Sequence, residues 1–194
     1  MPIRNRVNPF GELAAVAARG TLMGNRGCLH DARGEIVRAS QSRAWITCVT
    51  ERPGPKRPLL SPGQYTPLFF LDEATALAAG HRPCGECRRE ALIRFKRAWA
   101  IASGAAGPPG VGQIDGTLAL QRGRLPDCAE PDLLPEGAMV ADAERQAWLR
   151  RDGAWCKWSF AGYGPACRLP PGRFKLVTPE ATVAAIVAGY RPDL

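Results

Sequence analysis

A pair of cysteines separated by two residues, Cys84 and Cys87, lies between two segments that have the pattern of helices. The first segment begins after Asp72, a suitable N-cap, and ends before Gly80, which suits the left-handed position after a helix. The second segment starts near Glu86 and has apolar residues at helical spacing. Two thiolates three positions apart on such a turn can both face one tetrahedral ion. The sequence therefore predicts half of a zinc site between two helices.

The other half of the site must come from distant parts of the chain, because zinc binds four ligands, or three and an open position. Three upstream residues are candidates, namely Cys28, His30 and Cys48. We predict that the metal ligands are His30, Cys48, Cys84 and Cys87, with Cys28 as a substitute for either of the first two. Cys48 also fits a strand pattern, so a small core residue is the alternative interpretation of this cysteine.

We do not expect the remaining cysteines or the other histidine to bind the metal. Seven cysteines and no apparent export signal favour reduced thiols over a disulfide framework. We expect His81 to pack or to form a hydrogen bond near the metal rather than to bind it. The later cysteines have no metal-binding spacing and are interpreted as bystanders: Cys128, Cys156 and Cys167.

No apolar run approaches the ~20 residues of a bilayer span, so a soluble, cytoplasmic protein without membrane association is expected.

The charge of the chain indicates an anionic partner. The formal net charge is +8, from 26 Lys and Arg against 18 Asp and Glu, and most of the basic residues are arginines. Guanidinium groups bind phosphates and stack on bases, which favours a nucleic-acid partner, although genomic composition and simple solvation of a helix face are alternative explanations. The predicted contacts lie in a Pro-rich basic loop and on the second helix: Arg52, Lys56, Arg57, Arg89, Lys96 and Arg97.

The order of helix and strand patterns predicts an α+β protein. A small mixed sheet with helices around the zinc site is expected in residues 1–103, including a short helix from Phe10 to Ala18. Residues 104–136 are predicted to be a linker with a short helix, because they begin with a run of Gly and Pro. Residues 137–194 are predicted to form a small β-rich unit that ends in a helix.

The stretch from Tyr65 to Cys87 combines a Phe-Phe strand, an Ala-rich helix with an acidic start, and the string Gly-His-Arg-Pro-Cys-Gly-Glu-Cys. This combination resembles the zinc-binding domain of the adaptive-response DNA repair protein Ada, over about residues 65–89. In that family four cysteines bind zinc, and one zinc thiolate takes a methyl group from a DNA phosphotriester. The resemblance implies zinc binding, association with DNA, and Cys84 and Cys87 as the second ligand pair.

This chain departs from the family at the first ligand pair, which is Cys-x-x-x-Cys shortly before the strand. A methyl acceptor would have to be Cys28 or Cys48. The sequence therefore leaves three functions open. The first is a zinc-containing DNA-binding protein that acts in DNA damage repair or response. The second is a zinc-dependent enzyme that transfers a methyl group to a zinc-bound cysteine or, less in keeping with the motif, deaminates a nucleobase. Asp31 and Ala32 after His30 leave the deaminase signature without its glutamate.

The third function is a non-catalytic protein-interaction module. Aromatic residues of the C-terminal unit could contact a partner, although their packing into the core of that unit is the alternative explanation. These residues are Trp148, Trp155, Trp158, Phe160 and Tyr163.

Overall fold

The computed structural model describes residues 2–51 and 59–194, which form an α+β fold with two six-stranded sheets and four α-helices. This fold confirms the predicted class. The first sheet consists of β1 (Arg6–Val7), β2 (Leu13–Ala14), β3 (Leu22–Asn25), β4 (Ile46–Val49), β5 (Leu68–Phe70) and β6 (Arg82–Pro83). Its strand order is β2-β1-β5-β3-β4-β6, and the β1–β5 and β4–β6 pairs are parallel, so this sheet is mixed as expected.

The second sheet is antiparallel throughout and comes from the C-terminal part of the chain. It consists of β7 (Asp127–Cys128), β8 (Met139–Ala141), β9 (Ala147–Arg151), β10 (Ala154–Ser159), β11 (Gly162–Cys167) and β12 (Phe174–Leu176). Its strand order is β11-β10-β9-β8-β12-β7. A short 3-10 helix, Pro131–Leu133, lies between β7 and β8.

Four helices complete the described fold: α1 (Glu73–Ala78), α2 (Arg89–Ser103), α3 (Val111–Gln121) and α4 (Glu180–Val187). The predicted signals around α1 are confirmed. The Asp72 carboxylate accepts the backbone N–H of Thr75 at 2.8 Å, and Gly80 has a φ of +78° after the helix. Among the described residues, no helix has the length and apolar character that a membrane crossing requires.

The helix α1 packs against both the other helices and the second sheet. One buried cluster joins it to α2, α3 and α4 through Leu77, Phe95, Trp99, Ile114, Leu118, Ala185, Ile186 and Tyr190. A second cluster joins it to the second sheet through Ala74, Ala78, Met139, Ala141, Ala147, Leu149, Trp158 and Val177. Residues of the predicted segments 1–103, 104–136 and 137–194 therefore share buried clusters with one another.

The segment from Phe10 to Ala18 is not a helix, which corrects the prediction from its apolar spacing. It contains β2, which pairs with β1 as a hairpin. The side-chain oxygen of Asn8 accepts the backbone N–H groups of Phe10 and Glu12, and Gly11 takes a left-handed φ of +82° in the turn. These local hydrogen bonds satisfy the backbone in a turn, so the hairpin replaces the helix.

The large aromatic residues of the C-terminal region contribute to its core. Trp155 and Trp158 are buried. Phe160 and Tyr163 are partly buried and pack against the cluster that contains Trp158, while Trp148 packs against the cluster that contains Trp155. Their burial accords with the core interpretation of these residues.

Candidate metal centre

Three cysteine thiols lie together at one end of the first sheet. Cys48 is on β4, Cys84 follows β6 directly, and Cys87 lies in the turn before α2. Their sulfur atoms all lie within 4.8 Å of one another. The parallel pairing of β4 with β6 produces this proximity, because the backbone N–H of Cys84 donates to the carbonyl of Thr47, the neighbour of Cys48, at 2.9 Å. The three thiols could hold one metal ion.

The turn between β6 and α2 directs backbone amides at the cluster. The N–H of Glu86 donates to the sulfur of Cys84 at 3.4 Å. The N–H of Arg88 donates to the Cys84 carbonyl at 3.2 Å, which leads the chain into the first turn of α2. Amide donors of this kind stabilise a thiolate, which is the form of cysteine that binds metals.

The electrostatics of the cluster favour an added cation. Cys48 is 4% exposed, and burial together with the neighbouring Cys84 and Cys87 raises the pKa of its thiol. Burial also acts to raise the pKa of Cys84, but hydrogen bonds from the backbone of Cys87 and Glu86 outweigh it and lower that pKa. Three adjacent thiolates would repel one another in this buried position. A divalent cation would offset that repulsion and bring about the deprotonation of all three sulfurs.

The structure does not bring His30 to the three thiols. Its ring nitrogens lie 2.6 Å from the hydroxyl of Thr66 and 3.2 Å from the carbonyl of Ser61. The reason is the direction of β3, where Met23 pairs with Cys48 and Asn25 pairs with Ile46. The chain therefore runs away from Cys48 before it reaches His30.

The substitute ligand, Cys28, lies in the same segment as His30 and outside the cluster. Its thiol donates to the carbonyl of His30 at 3.5 Å. Of the four predicted ligands, the structure thus brings together Cys48, Cys84 and Cys87. Within the described residues no further Cys, His, Asp or Glu completes the group. Residues 52–58 contain none of these residue types in their sequence.

Buried ion pairs that the sequence analysis missed hold the metal-binding turn in place. Arg88, the residue after Cys87, donates to the carboxylate of Glu73 at 2.8 Å and to the hydroxyl of Thr47 at 2.9 Å. The hydroxyl of Tyr190 donates to the same Glu73 carboxylate at 2.7 Å. The turn is therefore linked to β4, to α1 and to the segment after α4.

A second buried ion pair fixes the strand that precedes the cluster. Arg82 on β6 donates two hydrogen bonds to the carboxylate of Asp115 on α3, both at 2.8 Å. The Arg-Pro-Cys string contains this arginine, but the sequence carries no sign of its distant partner. Together with the Arg88 contacts, this pair holds the backbone on both sides of Cys84.

A basic helix face begins two residues after Cys87. Arg89 and Arg97 of α2 are exposed, and Lys96 is partly exposed. These are three of the six predicted nucleic-acid contacts. The other three lie outside the described residues, namely Arg52, Lys56 and Arg57.

Comparison of the chain with protein-family models, curated proteins and solved structures finds no match.

Proposed function

We propose that this protein binds zinc through Cys48, Cys84 and Cys87 and binds DNA through the basic face beside them, in DNA damage repair or response. The observation that carries the proposal is the position of the three-thiol cluster at the start of α2, whose exposed side bears Arg89 and Arg97. Thiolate ligands suit zinc, which binds either four protein ligands or three and an exchangeable fourth. The resemblance to the Ada zinc domain supports the same metal and the same partner.

The fourth coordination position of such a zinc ion would not be filled by a side chain of the described residues or of 52–58. Water, a bound ligand or another molecule would complete the tetrahedron. An ion with three sulfur ligands and one exchangeable position has a net negative charge, and the arginines of α2 would offset it. The metal would also add to the folding free energy, because its ligands come from separate parts of the chain.

Binding to DNA would depend mainly on phosphate contacts. A net charge of +8 and exposed arginines give a salt-dependent affinity with no requirement for a particular base sequence. The test is the affinity of the zinc-loaded protein for a random-sequence DNA duplex over a range of salt concentrations. We expect a linear fall of log affinity with log salt, and a smaller slope in an Arg89→Gln/Arg97→Gln double variant.

An affinity that does not respond to salt, or an unchanged slope in the double variant, would contradict the proposed interface. The matched control is Arg38→Gln, since Arg38 is also exposed and lies on a different segment. This control should bind DNA with nearly the same affinity and salt dependence as the unmodified chain, because it removes a single charge outside the proposed interface.

A second candidate function is methyl transfer from a DNA phosphotriester to a zinc-bound cysteine. The observation that favours it is that Cys48, one of the two acceptors left open by the sequence, belongs to the cluster, whereas Cys28 does not. The sulfur would form a bond to the methyl carbon while the carbon–oxygen bond of the triester breaks, and the phosphodiester would leave with the electron pair. Mass spectrometry after incubation with methylated DNA should find one added methyl group on Cys48, and an unmodified chain would refute this activity.

A further inference from the structure

A cavity of about 360 Å³ is lined by three arginines and by none of the cysteines of the three-thiol cluster. Its walls come from the β1–β2 turn, the residue before β4, the end of α1, the segment after α3 and the β8–β9 turn. Six of the lining residues carry charge or a large aromatic ring: Phe10, Glu12, Trp45, Arg122, Arg124 and Arg145. The volume falls in the range of small-molecule binding sites.

Part of the positive charge in this cavity is already compensated. Arg145 forms an ion pair with Glu12 at 2.8 Å and lies over the ring of Phe10, 4.7 Å from its centroid. Glu12 is the sole acidic residue among the lining residues. The charges of Arg122 and Arg124 therefore have no carboxylate in the cavity to neutralise them.

Two guanidinium groups lie against the ring of Trp45. The guanidinium carbons of Arg26 and Arg122 are 3.7 Å and 4.3 Å from the ring centroid. Arg26 is 1% exposed, yet its hydrogen bonds go to the neutral ring of His81 at 3.1 Å and to the carbonyl of Gly11 at 2.8 Å. Arg122 donates to the carbonyl of Gly80 at 3.0 Å.

Neither of these two arginines forms an ion pair within residues 2–51 and 59–194. Burial and the proximity of Arg122 lower the pKa of Arg26 to about 9. Burial lowers the pKa of Arg122 to about 10, and Asp115, which offsets part of that effect, is held by Arg82. Both groups still carry their charge at neutral pH, so the fold keeps two adjacent cations that have no ion-pair partner of their own among the described residues.

Four buried N–H groups at this place also lack an acceptor among the described residues: Nη2 of Arg26, Nη2 of Arg122, Nε1 of Trp45 and Nδ1 of His81, whose ring packs on Trp45. The Arg26 nitrogen ends beside Gly11, where a β-carbon would lie 3.6 Å from it, and Gly11 is flanked by the lining residues Phe10 and Glu12. A buried donor without an acceptor costs free energy, and four of them beside two cations without ion-pair partners call for an explanation.

We propose that this cavity binds a phosphomonoester, with Arg122 and Trp45 donating to its oxygens and Arg26 supplying charge from behind the Trp45 ring. A phosphate group carries about two negative charges, which matches the two cations, and its terminal oxygens can accept hydrogen bonds from the free N–H groups of Arg122 and Trp45. A carboxylate has two oxygens in one plane and a single charge, so it matches the site less well. The proposal does not depend on the metal or on the DNA-binding face of α2.

The phosphomonoester could belong to a small molecule or to the 5′ end of a nucleic-acid strand, and the experiment separates these sources. Calorimetric titrations of the full chain would use inorganic phosphate, deoxyadenosine monophosphate, and one short oligonucleotide with either a 5′ phosphate or a 5′ hydroxyl. All titrations are made at a fixed ionic strength. Saturable binding of phosphate or the mononucleotide indicates a small-molecule ligand, and binding that requires the 5′ phosphate of the oligonucleotide indicates a strand end.

Two variants test the named donors. Arg122→Gln should weaken the binding of the phosphate probe by about tenfold or more, because a charge-assisted hydrogen bond is lost. Trp45→Phe keeps an aromatic ring, removes the Nε1 donor and should weaken binding severalfold. Arg38→Gln, at an exposed site outside the cavity, should bind as the unmodified chain does.

A thermal unfolding measurement shows whether each variant is folded, and bound phosphate should raise the unfolding temperature of the unmodified chain. Three results would overturn the proposal. They are the absence of saturable binding by every phosphate probe, equal affinity in Arg122→Gln, or binding of succinate as tight as that of phosphate. The last result would assign the site to carboxylates.

Discussion

Arg88 stabilises the short metal-binding turn between β6 and α2. Arg88 is buried, yet its guanidinium meets the carboxylates of Glu73 and Asp193 and the hydroxyl of Thr47. Two of these partners lie far from it in the sequence. A buried arginine is tolerated when its donors are paired in this way. The position of Cys87 thus depends on a charge network as well as on its own backbone.

At the same scale, Cys84→Ser is expected to abolish stoichiometric zinc binding. The unmodified chain should retain about one zinc per molecule after dialysis, and the hydroxyl of serine is a much poorer zinc ligand than a thiolate. Atomic emission on the purified proteins measures the metal content. Lowering the pH should release the metal from the unmodified chain, because protons compete with zinc for the three sulfurs.

Cys167→Ser is the matched control, since Cys167 is exposed and lies outside the cluster. It should keep its zinc. A metal-free but folded unmodified chain, indifferent to chelators, would contradict the metal centre itself.

At the scale of elements, α1 depends on its N-cap. Asp72 caps the helix through the Thr75 N–H, and its other oxygen accepts the hydroxyl of Tyr163 on β11 at 2.7 Å. Asp72→Ala removes both contacts and should lower the free energy of unfolding by about 1–2 kcal/mol. Urea unfolding followed by circular dichroism measures the change. Asp72→Asn retains an acceptor oxygen for the cap and should lose less; an equal loss in both variants would rule out the capping explanation.

At the scale of the whole molecule, the buried pair of Arg82 and Asp115 links the strand before the metal centre to α3. Asp115→Asn leaves a buried guanidinium without its charge partner and should destabilise the fold by about 3–5 kcal/mol. Chemical unfolding at a fixed zinc concentration measures this loss.

The contrasting variant is Asp127→Asn, because Asp127 pairs with Lys175 at 2.8 Å on the surface, where water screens the interaction. We expect little change in stability for it. Similar losses in the two variants would mean that burial does not set the strength of the Arg82–Asp115 pair.

Local patterns predicted most of the elements around the centre. The Asp72 cap, Gly80 and the apolar spacing of Leu92, Phe95 and Trp99 correctly located α1 and α2, because helix ends and faces are set by neighbouring residues. The helix predicted from Phe10 to Ala18 was wrong. The apolar spacing of this segment suits a helix, but the Asn8 side chain favours a turn. The spacing of apolar residues alone does not reveal that a local hydrogen bond favours a turn over the helix.

The CxxC spacing is a property of the chain, and by itself it determined that Cys84 and Cys87 share one turn. The choice of Cys48 over Cys28 and His30 as their neighbour was decided by the tertiary structure, through the parallel pairing of β4 with β6 and the outward course of the chain after β3. The same holds for the uncompensated arginines around Trp45, which come from separate segments. Local geometry follows from adjacent residues, whereas the meeting of distant side chains depends on strand register and packing, which no short stretch of sequence encodes.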